Sequence, residues 1–96
     1  MTNDITLEWD PEKEKQNINN HNVSFPEAST IFYDNNCITI EDESHSFQEQ
    51  RYITIGYTNY GRLLTVCATD RGDIIRIISA RDATRRERTT YEQQIN

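Results

Sequence analysis

The chain has 96 residues, 34% of them hydrophobic, with a formal net charge of −6 and a mean hydropathy of −0.86. That length fits one core and one domain over residues 1–96, thin enough that a partner is expected to supply part of its stability. No run approaches the ~18 apolar residues of a membrane span, Met1 to Trp9 lacks a basic-then-apolar leader, and Cys37 and Cys67 lack the paired spacing of zinc or redox sites, so a cytoplasmic protein with no membrane, metal or cofactor is expected.

In chain order, Ile5-Thr6-Leu7-Glu8-Trp9 alternates and ends on an aromatic residue, as a short strand does. Asp10-Pro11 opens a helix to about Asn20, with Glu12 and Glu14 at the positive end of its dipole. Ile18 is almost its only aliphatic residue, so no apolar stripe holds it; Lys13, Asn17 and His21 recur at i, i+4, i+8 on one polar face. His21-Asn22 reads as the exit, because asparagine tolerates the left-handed conformation. Ser24-Phe25-Pro26-Glu27 is a capping-box pattern with Val23 placed to staple Ala28, and predicts a short helix burying Ala28, Ile31 and Phe32.

The period then changes to two. Ile38 and Ile40 mark a strand, and a polar loop containing His45 runs from Asp42 to Gln50. Tyr52 to Tyr57, Leu63 to Ala68 and Ile74 to Ser79 follow, joined by the turns Thr58-Asn59-Tyr60-Gly61 and Asp70-Arg71-Gly72-Asp73. Cys37 and Cys67 fall in these β-like runs, where a buried free thiol is the ordinary reading. Thr84-Arg85-Arg86-Glu87 is a second capping box, opening a last helix to about Gln94. The predicted order is β-α-α-β-β-β-β-α, an α+β fold with an antiparallel sheet, two N-terminal helices and one C-terminal helix.

Charge is unevenly spread. Residues 1–70 hold four Lys/Arg against twelve Asp/Glu, whereas residues 71–96 hold six arginines against four acids. Arginine is suited to bidentate phosphate contact, although a solvated helix face explains part of the cluster equally well. Arg76 interrupts a strand of isoleucines. Strict alternation puts it on one face with Ile74 and Ile78, and puts Ile75, Ile77, Ser79 and Arg81 on the other. An arginine against apolar surface needs an ionic partner, or keeps its head in water above its stem. Arg85 and Arg86 lie in the first turn of the last helix, and Arg88 stands four residues before Glu92, in range for a surface pair.

Glu8-Trp9-Asp10-Pro11 with Lys13, Asn17 and His21, then Val23-Ser24-Phe25 and Glu27-Ala28, resembles the N-terminal signature of the BrnT family of toxin ribonucleases. Arg76-Ile77-Ile78-Ser79-Ala80-Arg81, Ala83-Thr84, Glu87-Arg88 and Tyr91-Glu92 resemble its second signature. The blocks Glu49-Gln50-Arg51-Tyr52, Ile55-Gly56 and Gly61-Arg62-Leu63-Leu64 also agree, so the resemblance spans nearly the whole chain. It implies a RelE-like fold, metal-independent cleavage of RNA, inhibition of translation, and neutralisation by a BrnA-like ribbon-helix-helix antitoxin. Contact with operator DNA would then come only through the antitoxin.

Metal-free RNA cleavage needs a group to take the 2′-OH proton, a cation to stabilise the phosphorane and a donor for the leaving oxygen. On that reading Arg76 and Arg81 are assigned to the scissile phosphate and Arg88 to their support. His21 is the acid/base candidate because its ordinary pKa lies near neutrality, the alternative being a histidine that bonds the last carbonyls of its helix. Lys13 and Arg85 are assigned to substrate binding. The chain has Asn20 and Ala68 where the family commonly has lysine and histidine. A catalytically weak toxin, acting as an antitoxin-binding module and co-repressor, is therefore the second class of reading.

Overall fold

The computed structural model describes residues 5–42 and 49–94; the His45 assignment lies outside them. The elements are β1 (Thr6–Trp9), α1 (Pro11–His21), α2 (Phe25–Ser29) running into a 3₁₀ turn (Thr30–Tyr33), β2 (Ile38–Glu41), β3 (Arg51–Tyr57), β4 (Leu63–Asp70), β5 (Ile74–Asp82) and α3 (Arg85–Gln93). The α+β order read from the sequence is therefore observed. No helix among the described residues is long and apolar enough to cross a membrane.

The local signals act as their chemistry dictates. Asp10 caps α1 by accepting from the Glu12 N–H at 2.9 Å, with Pro11 in the first turn. Asn22 ends the helix in the left-handed region at φ 55°. Thr84 and Glu87 close a reciprocal capping box on α3. At α2 only half of the expected box forms: Ser24 accepts from the Glu27 N–H at 3.3 Å, while the Glu27 carboxylate instead accepts from the Thr58 hydroxyl at 3.2 Å. Val23 and Ala28 are both fully buried in one cluster, as a hydrophobic staple requires.

The sheet has the order β1-β5-β4-β3-β2. Its four later strands form the expected antiparallel meander, but β1 pairs with β5 in parallel, Thr6 beside Ile74 through Trp9 beside Ile77. The sheet is mixed, which corrects the all-antiparallel expectation. Strand pairing between the two ends of the chain leaves no hairpin signature in the sequence, and the chain between β1 and β5 supplies the long connection that a parallel pair needs.

One sheet face packs under the N-terminal helices. Leu64, Val66, Ile77 and Ala80 meet Val23, Phe25, Ala28 and Ile31, with Leu7, Trp9 and Phe32 against them; Trp9 meets Phe25 edge to face at 6.0 Å. The 3₁₀ turn lies so close to β3 that a Cβ on Gly56 would sit 3.0 Å from Cys37 Cβ and 3.1 Å from the Ile31 carbonyl oxygen. On the opposite face α3 covers one end only, through Tyr91 over Ile55 and Leu63 with Tyr57 and Ala83 beside them.

α1 is held by hydrogen bonds. Its one buried residue is Asn17, 5% exposed. The Asn17 amide donates to the carbonyls of Ala80 at 2.8 Å and Val23 at 3.0 Å, and accepts from the Ala80 N–H at 3.0 Å. β1 stops at Trp9, opposite Ile77, and beyond it Asn17 takes the place of a strand residue on the edge of β5.

Candidate active site

A single extra residue in β5 sets the geometry of the open face. Cys67 pairs with Ser79 but the next residue, Ala68, pairs with Ile77, so Ile78 bulges. Strict alternation separates Arg76 from Arg81; the bulge cancels that separation. Arg76, Ser79 and Arg81 stand opposite Thr69, Cys67 and Thr65, alternate residues of β4 that share one face. Arg51, Ile53 and Ile55 of β3 continue the same three rows. Arg76 and Arg51 thus end one row and Arg81 ends another, with Ser79, Cys67 and Ile53 between them.

That middle row floors a cleft of about 270 Å³, rimmed by Asp42, Arg51, Arg81 and Thr65, with the bulged Ile78 exposed to it. Cys67 is half-buried here rather than sealed in a core. Burial pushes its thiol pKa up, against the nearby Arg51 guanidinium, which favours the thiolate. Cys37, the other thiol, is also only partly buried and precedes β2.

Arg81 is fixed by Glu87 across the β5–α3 junction, Nη1 to Oε1 at 2.7 Å and Nη2 to Oε2 at 2.9 Å. Glu87 also accepts from the Thr65 hydroxyl at 2.8 Å and the Thr84 N–H at 2.9 Å. The Arg81 hydrogen bonds outweigh burial and hold the Glu87 pKa down to about 2, so Glu87 is a cap and a clamp rather than a base. Arg76, as its isoleucine setting requires, has an ionic partner: Nη1 lies 2.7 Å from Oε2 of Glu8, its register neighbour on β1.

The other sequence candidates lie elsewhere. Arg88 donates to the Tyr57 hydroxyl at 3.2 Å, rather than making the expected surface pair with Glu92. Arg85 is exposed in the first turn of α3. Lys13 and His21 are exposed on α1, which is bonded to the edge of β5 through Asn17 and the backbone of Ala80. His21 lies near Asp82, where its charge favours the carboxylate after the stronger effect of Arg62. The cleft is lined by Arg81, with Arg76 on the same sheet face, and neither His21 nor Lys13 lines it. Sequence reasoning missed Arg51 and Asp42. Arg51 was legible as the first member of the alternating series Arg51, Ile53, Ile55, Tyr57; Asp42 lay in a loop with no period to place it.

Among the described residues, no group of three or more His, Cys, Asp and Glu side chains converges as a metal site would. None of the curated proteins matches the chain. A crystal structure of the Brucella abortus ribonuclease toxin, BrnT, has a similar fold: the TM-score is 0.66 at 20% identity, covering 85% of this chain and 100% of that one. The family model described as the ribonuclease toxin BrnT of a type II toxin–antitoxin system matches residues 9–87. That match takes in both the Trp9 strand and the Glu87 clamp, and the chain belongs to the BrnT family of ribonuclease toxins.

Proposed function

We propose that the chain cuts RNA without a metal ion, in a RelE-like manner, with the scissile phosphate seated in the cleft between Arg51 and Arg81. The observation that carries this reading is the β5 bulge, which turns Arg81 to the face that Arg51 and Arg76 share. In the reaction the 2′-oxygen bonds to phosphorus, the bond from phosphorus to the 5′-oxygen breaks, a 2′,3′-cyclic phosphate forms, and the departing 5′-oxygen takes its proton from solvent water. Arg51 and Arg81 stabilise the charge that builds on the non-bridging oxygens, the task to which guanidinium groups are suited. Glu87 keeps Arg81 pointed at the site before substrate arrives, so no reorganisation is needed in the transition state.

Proton removal from the 2′-OH is assigned to Asp42, the carboxylate that lines the cleft, and not to His21, which does not line it. Arg76 is assigned to the neighbouring phosphate, and Arg85 and Arg88 to the strand as it leaves over α3. Translation falls as RNA is cut, and a BrnA-like antitoxin restrains the toxin and alone contacts operator DNA.

The test is cleavage of RNA by the purified chain in EDTA. Wild type is expected to cut. Arg51→Ala is expected to lose about a hundredfold in rate, as expected for removing one transition-state donor. Arg81→Lys keeps a cation for Glu87 but not the fork, and is expected to lose nearly as much in rate, with a fall in melting temperature smaller than that of Glu87→Gln. Folded wild type that leaves RNA intact contradicts the proposal and favours the second reading, a non-cutting partner of the antitoxin.

A further inference from the structure

The cleft explains how a phosphate is held and leaves open what the enzyme reads along the RNA. On the other flank of α3 is a hollow of about 440 Å³ lined by Thr30, Tyr33, Asp34, Tyr57, Thr58 and Asn59. We infer that this hollow binds one unpaired base of the RNA strand, stacked on Tyr33 and bearing an amino group that donates to Asp34. The inference rests on the ribonuclease reading and adds a subsite to it.

Tyr33 is 61% exposed, an aromatic face turned to water in a chain with few apolar residues to spare. The hollow around it is braced by ring contacts and hydrogen bonds. Tyr57 meets Tyr91 edge to face at 5.4 Å, and its hydroxyl is held by Arg88. The Asp34 carboxylate accepts from the Tyr57 N–H at 2.9 Å, the Tyr91 hydroxyl at 2.7 Å and the Asn36 N–H at 2.9 Å. A carboxylate has about four acceptor positions, so one remains for a donor in the hollow. Adenine, cytosine and guanine carry an amino donor on the edge that such a carboxylate reads, and uracil carries none.

Charge favours nucleic acid as the occupant. Arg85, Arg86 and Arg88 are exposed on α3, against Glu87, which is paired with Arg81, and the exposed Glu92 near the far end of the helix. The helix is a cationic ridge on an otherwise acidic chain, with the phosphate cleft on one side and the tyrosine hollow on the other. Glu87 faces the first and the adjacent Arg88 reaches the second. Phosphates over the ridge and a base stacked beyond it is the ordinary way in which single strands are bound.

The experiment measures binding of a short RNA made uncleavable by a 2′-deoxy sugar at the cut site, with an abasic residue moved along it, and follows cleavage of the unmodified RNA in parallel. Tyr33→Ala is expected to weaken binding about tenfold, with Tyr33→Trp near wild type. At one position an abasic residue should cost wild type the same factor and cost Tyr33→Ala nothing more; uracil there should cost part of it. Unchanged binding by Tyr33→Ala overturns the inference, whether or not the protein cuts RNA. Loss of antitoxin binding in that variant with RNA binding intact also overturns it, by giving the hollow to the antitoxin. Tyr33-dependent binding without cleavage by wild type upholds the base subsite and sinks the ribonuclease reading instead. A wild type that binds no RNA contradicts both.

Discussion

Two side chains hold the molecule together at points where apolar burial does not. Asn17 answers both backbone groups of Ala80 and the carbonyl of Val23. Asn17→Ala leaves those buried groups without partners, at about 1–3 kcal/mol for a group so exposed to desolvation. A fall in melting temperature with α1 loosened, seen as faster amide exchange at Ala80, is the expected outcome. Glu87 is the other. Its folded pKa, about 2 against an ordinary 4.5, is depressed, so its contribution is complete above about pH 5 and drains away as pH falls towards 2. The shift corresponds to about 3 kcal/mol at most, less what solvent removes at the partly exposed Arg81. Wild type should therefore lose stability through that window, and Glu87→Gln should start lower at neutral pH and lose less on acidification. A variant whose melting temperature tracks that of wild type from pH 7 to 3 contradicts the clamp.

At the scale of elements, the β5 bulge decides the function proposed for the chain. Deleting Ile78 restores strict alternation and should send Arg81 to the helix-covered face, abolishing cleavage; circular dichroism reports whether the sheet survives. Ile77, fully buried between the helices and β4, should cost about 2–5 kcal/mol on truncation to alanine in chemical denaturation. Gly56→Ala should also destabilise, since the new methyl meets backbone at the Ile31 carbonyl rather than a side chain free to turn aside. Most of these elements were legible beforehand because their signals are local: Asp10-Pro11, Ser24, Thr84 and the runs of period two each act over a few residues. The bulge was not, because Ile77-Ile78 reads as uninterrupted strand and only the pairing with β4 shows which residue is extra. The parallel β1–β5 pair and the bond from Asn17 to Ala80 were hidden for the same reason, being contacts between distant parts of the chain. Of the proposed site, Arg81 was legible and lines the cleft and Arg76 shares its sheet face, whereas the shared helical face of Lys13 and His21 says nothing of which strand it meets, and neither residue lines the cleft.

For the whole molecule, the division of charge matters more than its sum. Acidic residues dominate the first seventy positions, and five of the six arginines of the last twenty-six lie on β5 and α3, beside an open sheet face that α3 covers at one end only. On the function proposed, an acidic protein with this basic face would meet RNA in a defined orientation, and the same face is the one that a neutralising antitoxin would cover. The cleft carries its own reporter in Cys67. Alkylation of Cys67, measured by mass spectrometry in a Cys37→Ser background with saturating uncleavable RNA, tests most directly whether the phosphate lies between Arg51 and Arg81. Strong slowing by RNA, lost in Arg51→Ala, is the result predicted; an alkylation rate that bound RNA leaves untouched would show that the strand lies elsewhere.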